Sequence, residues 1–223
     1  MVKFHTAILL NMKKIIFFLL VLSTVTRANA QRVMTEGTIT YNLSVVTSSK
    51  EPEIADIFDG ATLSVYLKSN VALSELKSVL LNQTIIFDGK NLGAVILKES
   101  GDQKFIINLT PANWTHYNRK YDGVTYTFTN ETKTVAGFPC KKAIGKLKDG
   151  IEFTVYYATN LVPSIKGYDY QFKGLPGMAL EYEVLNGNMK VKYSASKVTF
   201  SPVPAFKFDI PKTGYRILDY TTK

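Results

Sequence analysis

Residues 181–192 read Glu181-Tyr182-Glu183-Val184-Leu185-Asn186-Gly187-Asn188-Met189-Lys190-Val191-Lys192, and this stretch predicts the fold class by simple arithmetic. An Asn-Gly pair tolerates the positive φ angles of a two-residue hairpin turn. With Asn186 and Gly187 as the loop, Val184 falls opposite Met189 and Tyr182 opposite Val191. On the other face Glu183 meets Lys190 and Glu181 meets Lys192. One face is apolar and the other carries opposite charges, which sets a register. Two carboxylates on one strand would suit a general acid and base, but each has a lysine facing it and needs no catalytic role.

Immediately upstream, Tyr170-Gln171-Phe172-Lys173-Gly174-Leu175-Pro176-Gly177-Met178-Ala179-Leu180 reads as strand, tight turn, strand. Gly174 and Gly177 admit backbone angles closed to other residues, and Pro176 presets φ between them. Further Asx-Gly pairs at Asp59-Gly60, Asp88-Gly89, Asp122-Gly123 and Asp149-Gly150 mark more turns. Alternating segments fill the spaces between. Ile39, Tyr41, Leu43 and Val45 alternate with polar residues, as do Leu63, Val65 and Leu67, then Tyr126 and Phe128, then Phe153, Val155 and Tyr157. Phe206, Phe208 and Ile210 close the set before Pro211. Thirteen Tyr and thirteen Phe, lying mostly in these segments, are a sheet composition.

Helix signals are few. Residues 48–58 suit a Ser-capped helix with Pro52 in its first turn and Ile54, Ile57 and Phe58 buried. Leu73, Leu76 and Leu80 have helical spacing, yet the same run also reads as a strand leading into Ile85-Ile86-Phe87.

The first thirty residues read as a signal peptide: Lys13 and Lys14, an apolar run from Ile15 to Leu22, then Ala28-Asn29-Ala30 before a cut ahead of Gln31. The apolar run is too short for a membrane anchor. Residues 31–223 then form one β-rich domain with 23 basic and 18 acidic residues, spread along the chain rather than gathered into a basic face. Nucleic-acid binding is therefore not expected. Gln31 stands where a lipoprotein would carry an acylated Cys, so no lipid anchor is expected. The product is exported, to the periplasm or the cell surface.

Catalytic and metal constellations are sparse. His116 and Cys140 are the only His and Cys after residue 30, too few for a common zinc site. A lone Cys is most often a small buried hydrophobe, and a Cys140/His116 pair lacks a third group to orient the imidazole. The sequence has no Gly-x-Ser-x-Gly elbow and no phosphate-binding loop. Trp114 reads as a core or rim residue rather than a sugar-stacking platform. Asn-x-Ser/Thr triplets at Asn42, Asn82, Asn108, Asn113 and Asn130 reflect Thr-rich strands. No cofactor, metal or catalytic residue is expected.

The turn Gly174-Leu175-Pro176-Gly177 resembles the signature of the GLPGLI family, exported proteins of Bacteroidota with no assigned activity. A second element, Thr134-Val135-Ala136-Gly137-Phe138-Pro139-Cys140-Lys141-Lys142-Ala143, looks like another family motif, a Gly137 turn followed by a strand bearing Cys140 and Lys141. Residues 82–90 resemble the family's central hairpin, and Pro204 to Tyr215 its terminal strand. Met178-Ala179 departs mildly from the usual aliphatic pair. More distantly, such chains are similar to LolA-type lipoprotein carriers. That likeness implies a single curved antiparallel sheet, an open half-barrel with one or two short helices and an apolar groove on its concave face. It points to a non-enzymatic binding protein holding a lipid or other apolar ligand. The alternative is an envelope protein–protein interaction module with no small-molecule ligand. An open apolar groove of roughly several hundred Å³ favours the first, a filled concavity the second.

Overall fold

A computed structural model of the protein describes residues 31–46, 58–186 and 189–221. The signal segment and nearly all of the candidate helix at 48–58 lie outside them. The described chain is mainly β. Strands run β1 (Arg32–Met34), β2 (Glu36–Val46), β3 (Thr62–Lys68), β4 (Val71–Lys77), β5 (Asn82–Asp88), β6 (Gly93–Ser100) and β7 (Gln103–Leu109). After the short helix α1 (Pro111–Tyr117) follow β8 (Thr125–Val135), β9 (Phe138–Lys146), β10 (Glu152–Ala158), β11 (Leu161–Pro163), β12 (Met178–Asn186), β13 (Met189–Thr199) and β14 (Arg216–Leu218).

Twelve strands form one open sheet in the order β14-β7-β6-β5-β4-β3-β2-β13-β12-β10-β9-β8. Neighbours are antiparallel except the parallel edge pair β14–β7. A separate two-stranded sheet joins β1 to β11 in parallel. β8 and β13 come within 8 Å Cα to Cα although three strands separate them. A flat sheet would hold them about 19 Å apart, so the sheet is strongly curved at this end.

The ambiguous run around Leu73 is strand β4, which turns at residues 78–81 into β5. Of the Asx-Gly pairs, those at Asp88, Asp149 and Asn186 mark hairpins, whereas Asp122-Gly123 leads from a 3₁₀ turn (Arg119–Tyr121) into β8. The founding hairpin forms, but two residues out of the expected register. Val184 lies opposite Val191, Glu183 opposite Lys192 and Asn186 opposite Met189, so residues 187–188 connect the strands. The shift sets Tyr182 against Tyr193, whose rings stack with centroids 4.7 Å apart and planes 9° from parallel. Such a cross-strand aromatic pair outweighs the local preference for one loop over the next. Every side chain keeps its face, because the shift is even. The expected ion pairs therefore form on the diagonal, Lys190 to Glu183 at 3.4 Å and Lys192 to Glu181 at 3.1 Å.

Two expected strands are something else. Tyr170–Phe172 is a 3₁₀ turn, because Gln171 and Phe172 are buried over the sheet rather than paired at its edge. Residues 204–215 contain a 3₁₀ turn (Ala205–Phe208) and no strand, since Pro202, Pro204 and Pro211 remove the donors a ladder needs. This segment crosses the outer face of β3–β7. Val203 is clamped there by Glu36, which accepts from its N–H at 2.8 Å, and by Lys68, which donates to its carbonyl at 2.7 Å. Lys207 pairs with Glu75 at 3.3 Å and lies over the Tyr66 ring. Beneath this cover Leu73, Ile86, Leu97 and Ile106 are buried.

The inner face carries the main core, in which Ile39, Tyr41, Leu43, Val65, Leu67, Phe87 and Ile96 are buried. α1 lies against this face. Thr110 caps it by accepting from Asn113 N at 3.2 Å, Pro111 opens it, and Trp114 points inward beside Phe87. Among the described residues no helix is long and apolar enough to cross a membrane.

One hairpin supplies a direct test of the two-layer arrangement. Leu73 is 2% exposed beneath the covering segment, and Val79, at the turn of the same hairpin, is 95% exposed. Leu73→Ala is expected to lower unfolding free energy by about 2–4 kcal/mol and Val79→Ala by less than about 0.5, both read from urea denaturation.

Candidate functional site

The chain between β11 and β12 folds back over the inner face as a plug. Ile165 and Phe172 are buried in it, and Trp114 of α1 holds it by donating from Nε1 to the Gly167 carbonyl at 3.0 Å. Phe172 packs edge-on against Tyr182, with centroids 4.7 Å apart, and Tyr126 donates to the Gln171 carbonyl at 2.5 Å. The plug ends in Gly174-Leu175-Pro176-Gly177.

Neither Gly174 nor Gly177 has a positive φ, contrary to the sequence expectation. Gly177 is needed for closeness instead. A Cβ on it would stand 1.9 Å from the carbonyl oxygen of Ala158. Ala158 is fully buried between Met178 of β12 on one side and Cys140 of β9 on the other. The two sequence motifs thus meet at the flanks of one alanine. Gly137 forms the two-residue β8–β9 turn with φ +83°, following Ala136 at φ +48°. Lys141 points to solvent. Cys140 is 1% exposed, and burial pushes its thiol up to about 11, so it stays protonated and unreactive. His116 is not beside it. His116 bonds to the Tyr220 hydroxyl at 2.9 Å and lies within reach of Arg119.

Two cavities flank the plug. The larger, about 440 Å³, is lined by Val33, Val162, Ile165, Phe172, Met178 and the Leu175–Gly177 turn, with Asp169 in its wall. Among the described residues no side chain pairs with the Asp169 carboxyl, and burial raises it to about 7. The smaller, about 280 Å³, lies on the sheet itself. Leu63, Leu76 and Ile85 form one wall, Tyr182, Val184 and Tyr193 the other, and Tyr117, Tyr121 and Gln171 close it from α1, the 3₁₀ turn after it and the plug. Ser74 and Gln83 complete the lining, which holds no charged side chain. Burial first, then the nearby Asp169 charge, holds the Tyr121 phenol above its ordinary range. Burial likewise lifts Tyr193 to about 12. These phenols are neutral hydrogen-bond donors throughout the physiological range.

On the outer face, Glu181 accepts from Lys133 at 2.5 Å, from Lys192 and from Ser194 at 3.0 Å. These partners outweigh its burial and hold its carboxyl below the usual range. This is a satisfied ion network. Among the described residues no cluster of three or more His, Cys, Asp or Glu could hold a metal.

No protein-family model matches the chain, and no curated protein matches it. Among solved structures it is similar to PNGF-II, at 18% identity and a TM-score of 0.48, over 83% of this chain and 31% of that one. The chain therefore spans about a third of PNGF-II. It is also similar to an uncharacterized conserved protein from Thermus thermophilus, at 11% identity and a TM-score of 0.49, over 84% and 91% of the two chains. Both are likenesses of sheet architecture alone.

Sequence reasoning found the two motifs, which the structure uses to pack the plug. It missed Asp169, Gln171, Tyr121 and Tyr193, which line the cavities. The only local signal was a polar residue set among aromatics in Tyr168-Asp169-Tyr170-Gln171-Phe172.

Two measurements check this geometry. Gly177→Ala should cost about 1–3 kcal/mol or more, because the backbone of Ala158 must move. Gly137→Ala meets open space and pays only the positive-φ penalty, about 1 kcal/mol. Equal losses in denaturant titrations would contradict the Ala158 contact. The second concerns Asp169. Folded, it holds its proton to about pH 7. Unfolded, it releases it near pH 4. The unfolded state is therefore favoured increasingly as pH rises between those values, and the penalty is complete above about 7. Asp169→Asn should gain stability over the parent between pH 4 and pH 8, by at most about 4 kcal/mol. A difference that does not change with pH would mean the carboxyl is solvated.

Proposed function

We propose that this chain is an exported, non-enzymatic binding protein that holds a lipid or other apolar ligand against the inner face of its sheet. The observation that carries the reading is the 280 Å³ cavity, walled by side chains from strands five places apart in the sheet. Its volume falls just below the roughly 300–1,000 Å³ of typical small-molecule sites, room for a slender chain rather than a bulky ligand. Its walls are mostly aliphatic and aromatic, with Ser74, Gln83 and Gln171 among them and no charged side chain, which suits an apolar chain.

The sequence likenesses support the same reading. Residues 174–177, and Gly137 with Cys140 and Lys141, resemble the GLPGLI family, which has no assigned activity of its own; the support comes from the more distant LolA-type likeness, which an open sheet with a lined inner face would suit. The fold analogy alone would carry nothing. Export to the periplasm or cell surface rests on residues 1–30.

One observation favours the second reading, an envelope interaction module. Val79 is 95% and Leu80 62% exposed at the β4–β5 turn, next to the cavity residues Leu76 and Gln83. Apolar side chains this exposed at one turn are a natural contact for a partner.

Native mass spectrometry of protein purified gently from a periplasm separates the two. A mass excess extractable as lipid is expected, and Ile85→Lys should abolish it while leaving the circular dichroism spectrum unchanged. Retention unaffected by Ile85→Lys would sink the ligand reading, and a bare mass that co-purifies with an envelope protein would favour the second.

A further inference from the structure

The larger cavity, between the plug and the β1–β11 pair, has in its wall a carboxylate that the protein itself does not use. Val33, Val162, Ile165, Phe172, Leu175 and Met178 supply apolar lining, with Asp169 among them. Among the described residues no hydrogen bond or ion pair reaches the Asp169 side chain, and burial alone shifts its ionisation. Asp169 is nonetheless partly exposed. The side-chain atoms both sealed from solvent and without a partner are Asn160 Oδ1 and Gln171 Nε2. The Asp169 oxygens also lack partners but are not sealed, so a ligand can touch them.

The nature of the partner follows from this setting. A carboxylate held mostly away from water gains more from a cation that donates hydrogen bonds than from a neutral donor. A metal ion would need several more oxygen ligands than one carboxylate, and no cluster among the described residues supplies them. An organic cation needs none. Tyr168 and Phe172 place aromatic rings in the same wall, and such rings attract organic cations. A peptide's amino end would bring amides into a wall built mainly of apolar side chains, whereas an alkylammonium brings only its charge and an apolar body. Lys166 and Lys173 also line the cavity, but both are exposed and neither influences Asp169. Lys173 lies by the Tyr170 ring, 5.5 Å from its centroid. The two lysines disfavour a second positive charge on the ligand, so a monocation fits best.

We propose that this cavity binds a primary alkylammonium ligand, its N–H groups donating to the Asp169 carboxylate and its apolar body lying against Ile165, Phe172, Leu175 and Met178. The proposal is separate from the apolar-ligand reading above. It concerns the other side of the plug and neither needs nor tests occupancy of the inner-face cavity. The competing account places an anion at Lys166 and Lys173, with Asp169 protonated and taking no part.

The test titrates the mature protein calorimetrically at pH 8 with three probes of one length, hexylamine, hexanol and hexanoate. Hexylamine is expected to bind more tightly than hexanol by roughly tenfold to a hundredfold, the worth of a charge-assisted hydrogen bond, and hexanoate more weakly than either. Asp169→Asn, which removes a destabilising charge and so should fold at least as well as the parent, should bring hexylamine down to hexanol and leave hexanol nearly unchanged. The pH dependence gives a second readout. An alkylammonium keeps its proton between pH 5.5 and pH 8, as a lysine does. So do the phenols that feel Asp169, those of Tyr41, Tyr121, Tyr126, Tyr168 and Tyr182. Asp169 takes up a proton below about pH 7, so hexylamine should weaken by roughly tenfold to thirtyfold from pH 8 to pH 5.5, and Asp169→Asn should abolish the change. Equal binding of amine and alcohol by the parent overturns the assignment, as does an amine preference that survives Asp169→Asn. Tightest binding by hexanoate overturns it in favour of the lysines. Binding of none of the three overturns the site itself, and every one of these results leaves the apolar-ligand reading standing.

Discussion

The backbone of Gly177 rests so close to the carbonyl of Ala158 that no side chain fits between them, and the rest of the inner face depends on that contact. It fixes where the plug stops and β12 begins, and so which way Tyr182 faces. Tyr182 in turn receives Phe172 from the plug, stacks on Tyr193 and meets the Tyr41 ring. On the other flank of Ala158, Cys140 is small enough to let β9 approach. The motifs that looked most like signatures are thus devices for close packing, and the groups with chemical potential lie between them in the chain.

Those groups share a physical character. Asp169 and Gln171 stand on opposite sides of the plug, each beside a cavity and each without a side-chain partner among the described residues. A folded domain normally satisfies its buried polar groups, and the Gln171 amide is an exception, while Asp169 two residues before it is partly exposed. The outer face shows the opposite policy. There Glu36, Glu75 and Glu181 are each matched by lysines and backbone or hydroxyl donors. Charge is neutralised on the covered outer face and left unmatched beside the cavities.

Strand content was legible because alternation with period two is a local property, as in Ile39-Thr40-Tyr41-Asn42-Leu43. The hairpin at 181–192 was legible in its faces and not in its register, because residues 186–187 and 187–188 are both acceptable loops and the stacking of Tyr193 on Tyr182 decides between them. Tyr170/Phe172 and Phe206/Phe208 alternate as a strand would, yet both pairs sit in 3₁₀ turns. What separates the cases is whether a neighbouring strand is free to pair, and that is a property of the whole sheet. The cavity residues were illegible for a related reason: Gln171 is buried and Asp169 partly covered only because α1, some 55 residues earlier in the chain, holds the plug against the sheet.

The order of the strands has one more consequence. β2 to β7 follow one another as successive hairpins, and β8 to β13 are likewise built mostly from neighbours in sequence, and within the large sheet these two sets join where β2 meets β13, some 150 residues apart. Each half can take shape early on its own; the seam must wait for the last long strand to be available. The cavity straddles that seam, with Leu63, Leu76 and Ile85 on one side and Tyr182, Val184 and Tyr193 on the other. A half-made chain lacks one of its two walls, so the cavity is complete only where the seam has closed.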